Sequence, residues 1–171
     1  MNSTSHATGL FSPSSPSCPG NPSLHRSVLK AFLLGCRKRF SPLLNRPCRA
    51  LGNDHLAIGA LGEKIACAHL RAEGRRILYR NFRAPGGGEI DVVARDGRTL
   101  SFVEVKTRTS EQFGRPLEAV DHRKKKLMQR GANEWLRLLG TRDLPWRFDV
   151  VEVILREGEK PRLNTVLDVI A

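Results

Sequence analysis

No apolar run in this chain approaches the roughly 18 residues a bilayer-spanning helix needs, so a transmembrane helix is not expected. Cysteine is scarce and scattered. Cys18, Cys36, Cys48 and Cys67 form no CxxC pair, which argues against a zinc framework. Nothing in their spacing suggests secretion, and reduced thiols in a cytoplasmic protein are the default. Aromatic residues make up 6% of the chain and few lie near its basic runs, so base stacking is not expected as a main binding mode. Pro85-Gly86-Gly87-Gly88 is rich in glycine but no Gly-Lys-Ser/Thr follows it, which excludes a Walker phosphate loop. Acid is absent from the whole N-terminal stretch. The first acidic residue is Asp54.

Positive charge is abundant. The 171 residues carry 29 Lys+Arg against 17 Asp+Glu, a formal net charge of +12. Such an excess favours a polyanionic partner, with nucleic acid first and an acidic membrane surface second. The length suffices for one domain with a proper core.

The first 53 residues hold Arg26, Lys30, Arg37, Lys38, Arg39, Arg46 and Arg49 with no acid to balance them. They are also rich in Ser, Pro, Gly and Asn between Phe11 and Pro22. Such composition buries too little apolar surface to offset its ordering entropy. Residues 1–53 are expected to form a disordered basic extension, and 54–171 the folded domain. Leu33-Leu34-Gly35-Cys36 loosely resembles a lipoprotein cleavage box, but its apolar run is too short and Lys30 breaks it. An acid-free, Arg- and Ser-rich tail also fits an organelle transit peptide, a weaker reading than a lineage-specific extension. A weak amphipathic helix around Arg26 to Phe40 stays open.

From Asp54 onward the pattern reads helix, strand, hairpin, helix, strand, strand. Asn53 or Asp54 can cap a helix reaching about Glu73, with Leu56, Leu61, Ile65 and Ala68 or Leu70 inward and Gly74 as its stop. Arg76 to Phe82 reads as a strand. A second helix opens at Pro116 or Asp121 and ends near Leu139, before Gly140. Its Leu127, Met128, Gly131, Ala132, Trp135, Leu138 and Leu139 follow helical spacing and read as core. Arg123-Lys124-Lys125-Lys126 sits in its first turns, where cations oppose the helix dipole. A solvated face is the ordinary reading of such a run. Its placement at the wrong end of a helix favours phosphate contact. Trp146 to Leu155 reads as a buried strand and Leu163 to Ile170 as a last one.

The chemistry concentrates in Gly88 to Lys106. Two β-branched, apolar-rich runs flank Asp96-Gly97, a strong hairpin signal because such turns need φ > 0. With Asp96 and Gly97 as the loop, Arg95 faces Arg98, Asp91 faces Phe102 and Glu89 faces Glu104. Alternation then puts Glu89, Asp91, Glu104 and Lys106 on one face, with Ile90, Val92, Ala94, Val103 and Val105 on the other. Diagonal partners such as Asp91 and Glu104 would lie roughly 7–8 Å apart, within reach of one shared ion. Like charges facing each other destabilise a sheet, so three carboxylates beside one lysine need a reason. A solvated hairpin face neutralised by Lys106 is the plain explanation. Yet Val93, Leu100 and Phe102 share that face, which marks a site beside a core. A divalent cation binding through carboxylates, water and phosphate supplies the reason.

Asp91 followed by Glu104-Val105-Lys106 on the next strand resembles the PD-(D/E)xK nuclease signature. The ordered set Gly59–Ala66, Ile77–Arg83, Gly88–Ala94, Phe102–Arg108, Phe113–Val120 and Arg147–Val151 resembles the YraN family of uncharacterised, endonuclease-like proteins, which is similar to archaeal Holliday junction resolvases. That resemblance implies an α/β, restriction-endonuclease-like domain, a mixed central sheet flanked by helices. It implies a Mg²⁺- or Mn²⁺-dependent endonuclease acting on DNA, with branched DNA as one candidate substrate and RNA not excluded. Asp91 and Glu104 would be metal ligands, the Val105 carbonyl a third, and Glu89 and Glu63 additional or outer ligands. Lys106 would assist the water and the transition state. Arg108, Gln112, Arg123, Lys124, Lys125 and Lys126 are the expected nucleic-acid contacts. No membrane partner is expected, and a homodimer stays open. The competing class is a non-catalytic nucleic-acid-binding module on the same scaffold.

Overall fold

The computed structural model of the protein describes residues 41–48, 54–109, 122–140 and 143–170. Helix α1 spans His55–Ala72 and strand β1 Arg76–Arg83. Strands β2, Glu89–Asp96, and β3, Thr99–Arg108, form the hairpin. Helix α2 covers His122–Leu139, β4 Trp146–Ile154 and β5 Arg162–Val166. The expected element order is therefore found. Pro116, Asp121 and Gln112 lie outside the described residues.

The sheet order is β1-β2-β3-β4-β5. β3 and β4 run parallel and every other pair is antiparallel, so the sheet is mixed, as expected. One helix covers each face. On one side Ile58, Ile65, Ala66 and Leu70 of α1 pack with Val92, Ala94, Val103, Val151 and Val153. On the other, Met128, Ala132 and Trp135 of α2 pack with Phe82, Val93, Phe102, Phe148 and Val150. Trp135 meets Phe82 edge to face, 5.1 Å between ring centroids, an arrangement aromatic quadrupoles favour. Among the described residues no helix is long and apolar enough to cross a membrane.

Local sequence explains the ends of these elements. Asp54 caps α1 by accepting from the backbone N–H groups of Leu56 and Ala57 at 2.9 and 3.2 Å. Gly74 ends the helix at φ 91°, and Gly140 ends α2 at φ 72°, both conformations that suit glycine. The inner face of α1 differs from expectation at one position. Leu56 is 85% exposed, while Ile58, Gly62, Ile65 and Ala66 are buried. Nine residues separate Leu56 from Ile65, two and a half turns at about 3.6 residues each, which puts them on opposite faces.

The hairpin register also differs. Asp96 pairs with Thr99, so the turn residues are Gly97 and Arg98, and the positive φ falls on Gly97 at 56°. Every cross-strand partner moves by two positions. Val93 faces Phe102 and Val92 faces Val103, so Asp91 stands level with Glu104 instead of with Phe102. A shift of two preserves the faces, because strand side chains alternate with period two. The alternation itself breaks at Asp91. Ile90 joins the α2-side core while Val92 and Ala94 join the α1-side core. Asn81, in the left-handed region at φ 51°, lies on β1 between Arg80 and Phe82, the partners of Val92 and Ile90.

Residues 41–48, expected within the disordered tail, are seated against the domain. Pro42–Leu44 form one 3₁₀ turn. Cys48 is buried, its N–H donates to the Glu159 carbonyl at 2.8 Å, and its carbonyl accepts from Gly158 at 2.9 Å. The apolar character of Leu44 and Cys48, which pack with the α1-side core, outweighs the polar composition around them.

Candidate active site

The main-chain ladder between β2 and β3 runs from Asp96–Thr99 to Val92–Val103. One step further on, the Asp91 carboxylate takes over as acceptor. Its Oδ2 receives the Val105 N–H at 2.8 Å. A carboxylate thus replaces a strand carbonyl, which turns Asp91 toward β3 and brings it beside Glu104. Glu104 is only 3% exposed. Lys106 Nζ lies 2.9 Å from its Oε1.

Helix α2 contributes the remaining cation. Lys124 Nζ donates to Glu89 Oε1 at 2.8 Å, lies 3.0 Å from Glu104 Oε2 and 3.9 Å from Asp91 Oδ1. Three carboxylates therefore converge on one ammonium. The packing that places it there is specific. Lys124, Met128, Gly131 and Trp135 follow the 3.6-residue period of one helix face. Gly131 allows that face to approach the start of β2, since a Cβ on Gly131 would lie 2.8 Å from Ile90 Cγ1. Gly88 is equally constrained, because a Cβ there would lie 2.3 Å from the Gly131 nitrogen. The glycine-rich turn thus makes a close backbone approach to α2. Its Ala84 N–H also donates to the Gly88 carbonyl at 2.7 Å, closing an ordered turn between β1 and β2.

The electrostatics follow from this crowding. Burial and the neighbouring Glu104 charge push the Asp91 carboxyl up to about 7, partly offset by the Val105 N–H and Lys124. Glu89 is held below its ordinary value, chiefly by its hydrogen bond from Lys124. Burial alone would lower the Lys124 ammonium, but its contacts with Glu89, Asp91 and Glu104 reverse that and raise it. Glu104 Oε2 is buried and lies 3.0 Å from the Lys124 ammonium, one of the contacts that raise the Lys124 value. A carboxylate oxygen carries two lone pairs, so beside this ion pair Oε2 can accept one further partner.

The expected site residues separate into two groups. Glu89, Asp91, Glu104 and Lys106 come together. Glu63 does not join them; its Oε2 is 3.6 Å from Arg80 Nη2, an ion pair between α1 and β1. Arg108 pairs with Glu152 at 3.1 Å. Arg123 and Lys126 are exposed and Lys125 half-buried. Lys124, expected to face phosphate, instead enters the carboxylate cluster. Its spacing from Gly131 and Trp135 was the available signal, since a residue seven before a buried glycine shares its face.

A second charged cluster serves the fold. Asp149, fully buried, accepts from Ser101 Oγ at 2.6 Å, Arg75 Nη1 at 2.8 Å, Arg147 Nε at 2.9 Å and the Asp168 N–H at 3.1 Å. Its oxygens are saturated, so it holds β3, β4 and the segment after β5 together and offers nothing to a ligand.

Residues 62–153 match the uncharacterised protein family UPF0102. The chain belongs to this family, also called YraN. It is similar to a UPF0102 protein of Trichlorobacter lovleyi, 41% identical over 117 residues, which cover 68% of this chain and 91% of that protein. It is similar to one of Geobacter sulfurreducens, 42% identical over 116 residues, 67% of this chain and 90% of that one. A UPF0102 protein of Nocardia farcinica is 45% identical over 114 residues, 65% of this chain and 87% of its own length. The UPF0102 match spans the hairpin, α2 and all but the last residue of β4, and so includes every residue of the carboxylate cluster.

Proposed function

We propose that this UPF0102 protein is a metal-dependent endonuclease that hydrolyses DNA phosphodiester bonds at the Asp91–Glu104 cluster. The observation that carries the reading is the convergence of Glu89, Asp91 and the nearly fully buried Glu104 around one point. Carboxylates crowded in a buried site repel one another unless cations hold them. The donor chemistry fits a hard cation, because carboxylate and backbone carbonyl oxygens are what Mg²⁺ and Mn²⁺ take. Among the described residues no three His, Cys, Asp or Glu side chains form a ready metal cage. Mg²⁺ usually binds through one or two carboxylates, with water and substrate phosphate completing the shell, so two suffice.

Asp91 and Glu104 would hold the cation, with the Val105 carbonyl as a third ligand and Glu89 at the edge. A bound cation supplies Lewis acidity toward phosphate and a more acidic water. Lys106, anchored on Glu104 Oε1, orients a water and offsets the charge that develops on the phosphorane oxygens. Burial and the Glu104 charge raise the Asp91 carboxyl to about 7, and a bound cation would favour its ionised form. The charge of +12 favours a polyanionic substrate. Arg123, Lys125 and Lys126 on the N-terminal turns of α2 are the phosphate contacts this reading uses.

A non-catalytic binding module is the second reading, and the Lys124 contacts favour it, since they neutralise the carboxylates without a metal. Cleavage assays separate the two. Branched, flapped, linear and single-stranded DNA are incubated with the protein with and without Mn²⁺. The nuclease reading expects metal-dependent cutting of at least one substrate. It expects Asp91→Ala and Glu104→Ala to lose cleavage and weaken Mn²⁺ binding. Lys106→Ala should lose cleavage while keeping the metal, because an ammonium is not a ligand. Binding without cutting in either metal would favour the module. Cleavage surviving the combined loss of Glu104 and Lys106 would remove this site from the reaction.

A further inference from the structure

Lys124 stands where a cation is wanted. Its ammonium touches Glu89, Asp91 and Glu104, one carboxylate from each of three positions on two strands. Lys106, by contrast, touches Glu104 alone within this cluster. Lys124 also arrives from a separate element, carried on α2 and set by the Gly88–Gly131 backbone contact. One ammonium faces three carboxylates here, and the most buried of them, Glu104, is 3% exposed.

We propose that Lys124 is a built-in counter-cation that occupies the carboxylate cluster until a divalent cation displaces it. Metal entry and Lys124 withdrawal are then one exchange. The inference rests on the metal-dependent reading above and adds its regulation. Two cations cannot share the same oxygens at these distances without strong repulsion, because like charges a few ångströms apart are poorly screened in a half-buried site. The lysine stem is long and flexible, so its head can swing outward while its methylenes stay on α2. Once displaced, the ammonium lies on the rim beside Arg123, where a phosphodiester would meet it. Metal and polyanion then favour each other's binding, and by linkage the coupling is reciprocal.

The test is Mn²⁺ titration by calorimetry on the full chain, without DNA. Proteins compared are wild type, Lys124→Met, Lys124→Arg and Lys160→Met, the last an equal charge loss on an exposed loop. Removing the internal competitor should tighten Mn²⁺ binding by at least about tenfold in Lys124→Met. Lys124→Arg keeps a cation in place and should bind no more tightly than wild type. Lys160→Met should stay within about twofold of wild type, as a screened surface charge does. In thermal melts without metal, Lys124→Met should unfold at a lower temperature than wild type, and Mn²⁺ should raise it by more. Equal Mn²⁺ affinity in wild type and Lys124→Met overturns the exchange and leaves the metal reading standing. Should Lys124→Met not fold, tighter binding by Lys124→Arg than by wild type overturns the exchange. Absence of Mn²⁺ binding in every protein overturns the metal reading and the exchange with it.

Discussion

At the residue scale Asp91 is the most consequential side chain. It accepts a strand N–H, faces Glu104 and sits at the break in the core alternation. Its carboxyl titrates near 7 instead of its ordinary 3.8. Between those values the folded protein keeps a proton that the unfolded chain has lost. Stability therefore falls as pH rises from about 4 to about 7 and levels off above. The full shift would amount to about 4 kcal/mol, reduced by relaxation of Glu89, Glu104, Lys106 and Lys124 around it. Glu89 acts in the opposite sense, since Lys124 lowers its value, but only as pH falls below about 4.5. Urea unfolding of metal-free protein between pH 5 and 8 should show this decline in wild type, and Asp91→Asn should flatten it. Parallel pH profiles for the two proteins would mean that Asp91 is ionised throughout. The Asp91–Glu104 pairing was visible in the hairpin pattern. Its register was not, because Asp96-Gly97 and Gly97-Arg98 are both acceptable two-residue loops and only the packed sheet chooses between them.

At the element scale the site depends on how closely α2 meets β2. Gly88 and Gly131 form that contact with no room for a side chain, the Gly88 Cβ position lying 2.3 Å from a backbone nitrogen. Backbone cannot yield as a flexible side chain can. Gly88→Ala should push α2 away from the β2 start and cost about 1–3 kcal/mol, the usual range for overpacking. The Lys124–Glu89 contact, 2.8 Å in the native packing, should loosen with it. Chemical denaturation and Mn²⁺ titration together check this. Gly86→Ala is the control, since among the described residues nothing lies within 4 Å of its Cβ position. Wild-type stability in Gly88→Ala would mean that the helix is not held at this point. Helical spacing in the sequence marked Gly131 and Trp135 as core, and the same spacing marked Lys124. The basic run around Lys124 hid it, because Arg123, Lys125 and Lys126 are indistinguishable from it in charge.

At the scale of the whole molecule, one mixed sheet lies between two helices, and the carboxylate cluster sits where β2 and β3 stop pairing, under the first turns of α2. The seat of residues 41–48 on the β4–β5 connection belongs to this scale. Cys48 contributes a buried side chain and two main-chain hydrogen bonds, to Gly158 and Glu159, more than a hundred residues along the chain. Deleting residues 1–53 should therefore cost about 1–3 kcal/mol more than deleting residues 1–40, from one small buried side chain and the bonds around it. Urea midpoints of the two truncations measure the difference. Equal midpoints would show that the seat contributes nothing to stability.

Periodicity and punctuation alone determined the order of elements. Asp54 caps α1, Gly74 and Gly140 end the two helices, and alternating β-branched residues form the hairpin. These are local interactions, so nearby residues suffice to specify them. The clustering of Glu89, Asp91, Glu104 and Lys106 was legible for the same reason, since one hairpin carries all four. What needed the tertiary structure was long-range. Glu63 turned to Arg80, and Cys48 found Glu159. Lys124 came to Glu89 and Glu104 across the crossover from β3 to β4. Such contacts join residues whose sequence neighbours bear no trace of the partner. Helix packing against the sheet decides them, through shape at Gly88 and Gly131 and through the cost of leaving buried carboxylates without a counter-charge.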